Sequence, residues 1–471
     1  MTPFKQELIS MMDENPQRIS SSGKIKISKK GWLTRCIILS GIFMVIAYNL
    51  EVGVRLADPL ILYSIIVPIH SVIILLIGWI FYRNPSKGKI GNKLVSVIIP
   101  IFNQEQMISQ VIKAIDRSTY QNIEIIAVND GSTDKTKEIL EELKKTIPKL
   151  KIINKKNEGK RKAVASGFNI SKGDFIILVD SDSVIDKNGI VEFLKTFNGN
   201  PRIGAAVGNA RTWNSRKNIL TKCQDVWYDF TFNIHKACES TFGTVLCCSG
   251  CFSAYRREAL AEFIPIWSQA KLAMSDDREL TSLTISKSWA KRELLFAFAN
   301  KTLGSASRFD DAEDRVLTAQ ALVEWRACYV ASAVVYTDVP ETLKNFIKQQ
   351  KRWKKGYIRT NFFVSGFFWN KHPLMALIFY LDFMSSFTAP LVLFTVFLYE
   401  PIVLDQYLLP LVYLLGIFLL GFGEGLDSKF RNPKSKNWMY KPVMNFISLF
   451  IMSWIIIPAL LSLRKNQWLT R

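Results

Sequence analysis

Apolar segments long enough to cross a bilayer bracket this chain at both ends, and that arrangement constrains its fold more than any other feature. Trp32 to Asn49 is apolar after Arg35, and Pro59 to Phe81 is apolar throughout. Three further stretches follow Pro373, at about 374–398, 402–422 and 443–463. Each approaches the roughly 20 residues that a helix needs to span the hydrocarbon. Glu51, Arg55 and Asp58 sit in the short link between the first two and fit a tight outer turn. Lys24, Lys26, Lys29, Lys30 and Arg35 lead into the first span, and Arg83, Lys87 and Lys89 follow the second. Basic flanks mark the cytoplasmic side, so the polar tail (1–31) and the middle of the chain are expected there. The link 423–441, with Lys429, Arg431, Lys434, Lys436 and Lys441, reads the same way. The basic end (Arg464, Lys465, Arg471) would lie outside if all three C-terminal stretches crossed. Pro442 and Pro458 flank or interrupt the last stretch, which reads as re-entrant or partly interfacial, with the parity open.

Between these ends, from Lys93 to about Trp369, the pattern is soluble α/β. Leu94–Pro100, Ile123–Val128, Leu150–Ile153 and Asp174–Val179 read as strands, and 104–118, Lys135–Lys145 and Gly159–Ile170 as helices. That alternation predicts a parallel sheet with crossover helices. Carboxylates fall just after the strand ends, where open α/β sheets bind ligands. The 471 residues carry 61 Lys+Arg against 40 Asp+Glu, a net charge of +21. Positive-inside bias accounts for most of that excess, and a diphosphate substrate would add to it locally. No zinc-finger or RNA-binding signature is present, so nucleic acid is not expected as a partner. The 7 Cys form no disulfide framework, no fourth ligand completes a zinc site around Cys247, Cys248 and Cys251, and the 3 His are isolated, leaving little for histidine catalysis.

The turn after the second strand is Asn129-Asp130-Gly131-Ser132, in which Gly131 permits a tight turn and Asp130 can accept from a base or a ribose hydroxyl. Read alone, it is equally an ordinary turn capping the next helix. Asp180-Ser181-Asp182 follows Phe175–Val179, and two carboxylates one residue apart at a strand end suit a hard divalent ion that also bridges phosphates. Lys160, Arg161 and Lys162 stand at a helix start, where cations and free N–H groups favour a phosphate or a uracil carbonyl.

Together these motifs resemble family 2 glycosyltransferases, nucleotide-sugar enzymes with a GT-A fold, over about 95–200 and 245–360. The likeness is nearest to the processive membrane synthases of hyaluronan, chitin and chitin oligosaccharides. It implies an α/β GT-A-type (Rossmann-like) cytoplasmic domain embedded in an α-helical transmembrane protein. It also implies that Pro100 and Asn103, in Pro100-Ile-Phe-Asn103-Gln-Glu105, line the nucleotide, although Phe102 and Gln104 depart from the family's Tyr and Glu. Cys248-Ser249-Gly250-Cys251 resembles the acceptor loop, with Ser249, Gly250 and Cys251 near the terminal sugar. Two segments compete for the base motif, Ser275-Asp276-Asp277-Arg278 and Ala312-Glu313-Asp314-Arg315. Only the second is followed in family order by a helix (Leu317–Trp325), a strand (Ala327–Tyr336), Thr337-Asp-Val-Pro340 and Gln349-Gln350-Lys351-Arg352-Trp353. Asp314 is therefore the expected general base, with Glu313 and Arg315 positioning it, and about 270–300 is an expected insertion. Gln349, Gln350 and Trp353 are assigned to the acceptor, Arg352 to the diphosphate, and Asp182 to a Mg²⁺ or Mn²⁺ ion. The final Trp468-Leu-Thr-Arg471 resembles the gating motif of hyaluronan synthases, with Leu469 in place of Gly.

The resulting layout is a tail (1–31), two membrane helices (32–81), a glycosyltransferase domain (93–369), C-terminal membrane or interfacial helices (374–463) and a gating-like end (464–471). The resemblance implies a multi-pass plasma-membrane enzyme with UDP-sugar donors (UDP-GlcNAc, with UDP-GlcA beside it for hyaluronan), a growing polysaccharide and membrane lipid as partners. A chitin-like polymer, a non-processive transfer to a lipid carrier and an inactive transporter or scaffold are the alternatives.

Overall fold

The computed structural model describes residues 23–24, 27–56, 59–269, 276–286, 325–433 and 435–463. The chain begins with two long helices, α1 (Lys29–Leu56) and α2 (Pro59–Ile80). The α/β domain follows in the order β1 (Val95–Ile101), α3 (Ile108–Asp116), β2 (Ile123–Asp130), α4 (Thr136–Thr146), β3 (Leu150–Lys155), α5 (Lys160–Ile170), β4 (Phe175–Leu178), β5 (Val184–Ile185), α6 (Gly189–Gly199) and β6 (Ile203–Thr212). After α7 (Ile219–Phe230) come β7 (Ser253–Arg256), α8 (Asp276–Ile285), β8 (Arg326–Thr337) and α9 (Leu343–Ser365). The chain then returns to long apolar helices, α10 (Pro373–Phe394) and α11 (Leu408–Arg431), and the shorter α12 (Lys441–Ile447).

One sheet of order β3-β2-β1-β4-β7-β6-β8-β5 forms the domain. The expected strands are all present, and β1 and β2 are buried along their whole length, as near-continuous Val/Ile runs require when helices cover both faces. On α3, Ile108, Val111, Ile112 and Ile115 recur at helical spacing and all turn inward. The sheet is mixed, however, and not wholly parallel. β7 runs antiparallel to both β4 and β6, and β5 runs antiparallel to β8. The reversal at β7 brings the preceding loop, with Ser249, Gly250 and Cys251, to the same sheet edge as the ends of β1, β2 and β4.

Four helical stretches among the described residues are long and apolar enough to cross a bilayer: Lys29–Arg55, Pro373–Val403, Leu408–Arg431 and Trp438–Leu460. Ile69–Ile80, within α2, is a shorter apolar stretch. This is a membrane protein, with a mixed α/β domain between its apolar ends. The boundary near 402–422 differs from the sequence expectation. The helix breaks around Asp405, whose φ is +55°, and Gln406 N–H returns to Glu400 O at 2.9 Å. The next helix then runs on to Arg431 through residues expected in a polar link, because their charges are paired internally. Asp427 receives Arg35 of α1 at 2.7 Å and Arg431 at 2.7 Å, and Arg431 also holds Asp229 of α7 at 2.8 Å. Trp468 and Arg471 lie outside the described residues.

Candidate active site

β2 ends in Asn129-Asp130 at the edge where the parallel strands deliver their C-terminal ends. Asp130 is buried, and both of its oxygens accept backbone hydrogens, Oδ1 from Glu158 at 3.0 Å and Oδ2 from Gly159 at 2.7 Å. It thereby fixes the turn that launches α5. Gly131 has φ +75°, and a Cβ there would stand 2.6 Å from Asn157 N, so only glycine fits this turn. The turn after β1 is stitched to it. Asn103 donates its N–H to Ser132 Oγ at 3.0 Å, and its Oδ1 accepts Thr133 N–H at 2.8 Å. Pro100 lies within β1 opposite Val128. Pro100, Asn103 and Asp130 therefore belong to one rim.

Across that rim the charges converge. Asp180 and Asp182, half-buried, follow β4, and Ser183 Oγ donates to Asp182 Oδ1 at 3.1 Å. Lys160, the first residue of α5, reaches Asp180 Oδ1 at 2.7 Å and Asp277 Oδ1 at 3.4 Å. Burial works against its charge, but the Asp180, Asp277 and Asp276 carboxylates outweigh it and hold the Lys160 pKa above the ordinary lysine value. Asp277 feels the opposite pressure. Burial above all raises its pKa, with Asp180 and Asp276 adding to the rise, and Lys160 and the Gly250 N–H opposing it. Gly250 is in close contact with this pair, since a Cβ there would stand 2.6 Å from Asp277 Oδ1 and 2.7 Å from Lys160 Nζ. Burial also pushes the Cys251 thiol up, with Asp180 and Asp277 close enough to contribute.

α8 is what carries Asp277 here. Arg161 donates to Asp276 Oδ1 at 2.6 Å and to Glu279 Oε2 at 2.5 Å, and its guanidinium lies 5.4 Å from the Trp267 ring centroid. This side chain, expected at the nucleotide, is thus engaged in gripping the helix on both sides of Asp277. Thr281 Oγ1 accepts the Cys248 N–H at 2.9 Å, locking the acceptor loop to the same helix. Arg278 donates to Asn361 Oδ1 at 2.8 Å and covers the Tyr357 ring, which ties α8 to α9. Residues 276–286, the described part of the expected insertion at about 270–300, thus pack against α5, the acceptor loop and α9. Glu313, Asp314 and Arg315 lie outside the described residues. The two segments share one pattern, Asp277-Arg278-Glu279-Leu280-Thr281 and Asp314-Arg315-Val316-Leu317-Thr318.

On α9, Gln349 and Gln350 are buried, and among the described residues neither Gln349 Oε1 nor Gln350 Nε2 has a hydrogen-bond partner. Trp353, one turn on, is 36% exposed, with the Trp227 ring 6.2 Å away. Arg352 is half-buried beside it. Among the described residues no group of three His, Cys, Asp or Glu is arranged to hold a metal. The carboxylate pair Asp180 and Asp182 suits an ion that keeps waters and takes the rest of its shell from substrate phosphates, the usual habit of Mg²⁺.

Residues 96–264 match the family described as Glycosyl transferase family 2. The chain carries a family 2 glycosyltransferase domain. It is similar to the hyaluronan synthase of Streptococcus pyogenes, 28% identical over 443 residues that make up 92% of this chain and 96% of that protein. An N-acetylglucosaminyltransferase of Rhizobium meliloti is 31% identical over 287 residues, 60% of each chain. Among solved structures, a mannosyltransferase from Pyrobaculum calidifontis in complex with GDP-Man and Mn²⁺ is a neighbour with a TM-score of 0.48 and 13% identity, covering 92% of this chain and 98% of that one. The family 2 domain spans the rim, the Asp180–Asp182 turn and the acceptor loop, and the protein is a glycosyltransferase. Sequence reasoning did not find the Lys160–Asp180–Asp277 contact, the grip of Arg161 on α8, or Trp227 beside Trp353. The Asp-Asp-Arg triplet at 276–278 was the visible signal for the first two.

Proposed function

We propose that this protein is a processive, inverting β-glycosyltransferase that polymerises UDP-activated sugars on the cytoplasmic side of the plasma membrane and passes the chain through its own helices. The observation that carries this reading is the meeting of Asp180, Lys160, Gly250 and Asp277 at one point, with the buried amides of α9 leading on towards the membrane helices. A nucleotide on the Pro100–Asn103–Asp130 rim would direct its diphosphate towards Asp182 and Lys160. Bound at Asp182 and Asp180, a Mg²⁺ or Mn²⁺ ion would neutralise the leaving diphosphate. Lys160, released from Asp180, is placed to pair with the same phosphates, and Arg352 adds a second cation. The acceptor hydroxyl would lie against Gly250, where only a residue without a Cβ leaves room. Buried Gln349 and Gln350, each with an amide atom unpaired among the described residues, offer hydrogen bonds to sugar hydroxyls, and Trp353 offers an apolar platform.

Geometry favours Asp277 as the carboxylate that takes the acceptor proton, because burial raises its affinity for a proton while Lys160 and Gly250 hold it in place. The order of downstream elements favours Asp314. Asp277→Asn and Asp314→Asn, assayed separately with binding of UDP checked in each, distinguish the two. Loss of a general base costs about 10²–10⁴ in rate with UDP binding kept, and a variant that retains full turnover removes its residue from the role. The similarity to a hyaluronan synthase favours UDP-GlcNAc and UDP-GlcA as donors, and the N-acetylglucosaminyltransferase likeness favours UDP-GlcNAc alone. Purified protein supplied with radiolabelled donors singly and in pairs decides this. Polymer from UDP-GlcNAc alone indicates a chitin-like product, a strict need for both indicates hyaluronan, and only single transfers would overturn processivity.

A further inference from the structure

Three consecutive cations open α5, and they have three different fates. Arg161 is buried and gripped, by Asp276 at 2.6 Å and by Glu279 at 2.5 Å. Lys162 faces outward, half-exposed, and pairs with Glu158 at 2.9 Å. Lys160 alone turns into the site, where its Nζ lies 2.7 Å from Asp180 Oδ1 and 3.4 Å from Asp277 Oδ1. A Cβ on Gly250 would stand 2.7 Å from the same Nζ, so the ammonium also lies against the acceptor loop. One charge therefore covers the first carboxylate of the Asp180–Asp182 turn, the carboxylate of α8 and the glycine between them. The Lys160, Asp180 and Asp277 side chains are 22%, 32% and 29% exposed, against 4% and 8% for Arg161 and Asp276. A lysine ammonium rides on a flexible stem, so this one can swing while α5 stays in place. The start of α5 leaves room for that movement. Gly159, before it, provides no side-chain cap, and among the described residues no atom comes within 4 Å of where its Cβ would be.

We propose that Lys160 is a latch that makes the divalent ion enter together with the donor. The proposal rests on the reading of Asp180 and Asp182 as the carboxylates that hold the ion, and extends it to the order of binding. A hard divalent ion takes carboxylate oxygens at about 2.0–2.6 Å. An ammonium already on Asp180 competes for that carboxylate and repels the ion across it. An ion arriving alone has to displace Lys160 unaided. A diphosphate supplies the missing pull, because its oxygens accept charge-assisted hydrogen bonds from an ammonium. The first turn of α5, from which Lys160 springs, favours the same anion. When Lys160 moves to the phosphates, Asp180 is released to the ion, Asp277 loses its cation and Gly250 is uncovered for the acceptor, all in one movement. Donor binding thus assembles the site.

The test measures Mn²⁺ binding to full-length protein in detergent, by the electron paramagnetic resonance of free Mn²⁺, with and without saturating UDP. The parent should bind Mn²⁺ weakly alone and much more tightly with UDP. Lys160→Met keeps the stem and removes the charge. Without UDP it should bind Mn²⁺ roughly tenfold more tightly than the parent, because the binding-competent arrangement no longer has to be released. The gain in Mn²⁺ affinity that UDP confers should shrink by about the same factor. A lysine that only braced the fold would not raise an affinity when removed. The latch is overturned if Lys160→Met, without UDP, binds Mn²⁺ no more tightly than the parent does. Asp182→Ala separates that result from failure of the metal reading. Tight Mn²⁺ binding to the parent without UDP, lost in Asp182→Ala, keeps the metal reading and overturns the latch alone. If UDP does not promote Mn²⁺ binding in the parent and Asp182→Ala binds as the parent does, both fall. Should Lys160→Met fail to melt cooperatively, Lys160→Gln is read by the same criteria.

Discussion

Gly250 shows how narrowly the site is set at the scale of single residues. Its missing Cβ leaves room that both Asp277 and Lys160 use, each within 2.7 Å of where the methyl of alanine would sit. The Lys160 end is flexible and can retreat, but Asp277 is carried on a helix that Arg161 grips from both sides. Gly250→Ala is therefore expected to displace the carboxylate or the acceptor by a fraction of an ångström. Turnover should fall by roughly 10–100-fold, the usual cost of misplacing reacting groups, with little change in thermal melting. A fully active Gly250→Ala enzyme would show that the acceptor does not approach here. The pH dependence tests the same carboxylate. A base works in its charged form, and burial raises the Asp277 pKa, so activity is lost as pH falls through that raised value. The acid limb of kcat/KM should lie above the ordinary aspartate range of about 4. A limb within that range points away from Asp277. Asp130, Asp180, Lys160 and Gly250 were all legible in the sequence, because each stands at a strand end, a helix start or a turn that needs glycine. Asp277 was weighed and set aside. What speaks for it under the proposed function is a contact between residues 117 positions apart, which no local pattern carries.

At the scale of elements, α9 combines two habits. Phe346, Gln349, Gln350, Ile358 and Asn361 turn inward, while Leu343, Ile347, Trp353 and Phe362 remain exposed among lysines. That outer face reads as an interfacial helix with an aromatic at headgroup level, and the inner face as a lining for hydroxylated sugar. Trp353 lies between them, beside Trp227. Loss of an aromatic platform removes about 0.5–1.5 kcal/mol, so Trp353→Ala should shorten the polymer severalfold while leaving UDP affinity nearly unchanged. Size-exclusion of labelled product and a parallel UDP titration measure both. Unchanged polymer length in a protein that melts normally would leave only the membrane-anchor role. Strands β1 to β4 and β8 and helices α3 to α5 and α9 were legible because their apolar periodicities are local. β5, β6 and β7 were not read, and neither was the antiparallel direction of β7, since a four-residue strand carries little pattern of its own and only its neighbours orient it.

At the scale of the whole molecule, a line of buried charge joins the membrane helices to the catalytic domain. Arg35 on α1 meets Asp427 on α11, Asp427 meets Arg431, and Arg431 reaches Asp229 on α7. The side chains of Arg35, Asp427 and Arg431 are at most 4% exposed, and the Trp79 ring of α2 lies 4.3 Å from the Arg35 guanidinium. The Asp427 and Arg431 pair is one helical turn apart and visible in sequence, but Arg35 lies 392 positions away, so the joint could not be read there. This pairing explains why α11 continues through residues that composition alone assigns to a polar link. A buried pair broken on one side leaves an uncompensated charge, which costs about 3–5 kcal/mol. Asp427→Asn strands the Arg35 guanidinium and leaves Arg431 with Asp229 alone, so it should destabilise the full-length protein in detergent by about that amount, seen as a large drop in melting temperature. Replacing Arg35 and Asp427 together by Met and Leu removes one cation with the anion, and Arg431 keeps Asp229. That double variant should recover most of the lost stability, as apolar replacements of buried pairs commonly do. Turnover in the double variant then separates two roles for the joint. Activity restored together with stability would mean that the charges hold the helices against the domain and nothing more. A stable protein that still fails to polymerise would mean that the position of α11 against α7 itself matters to the reaction.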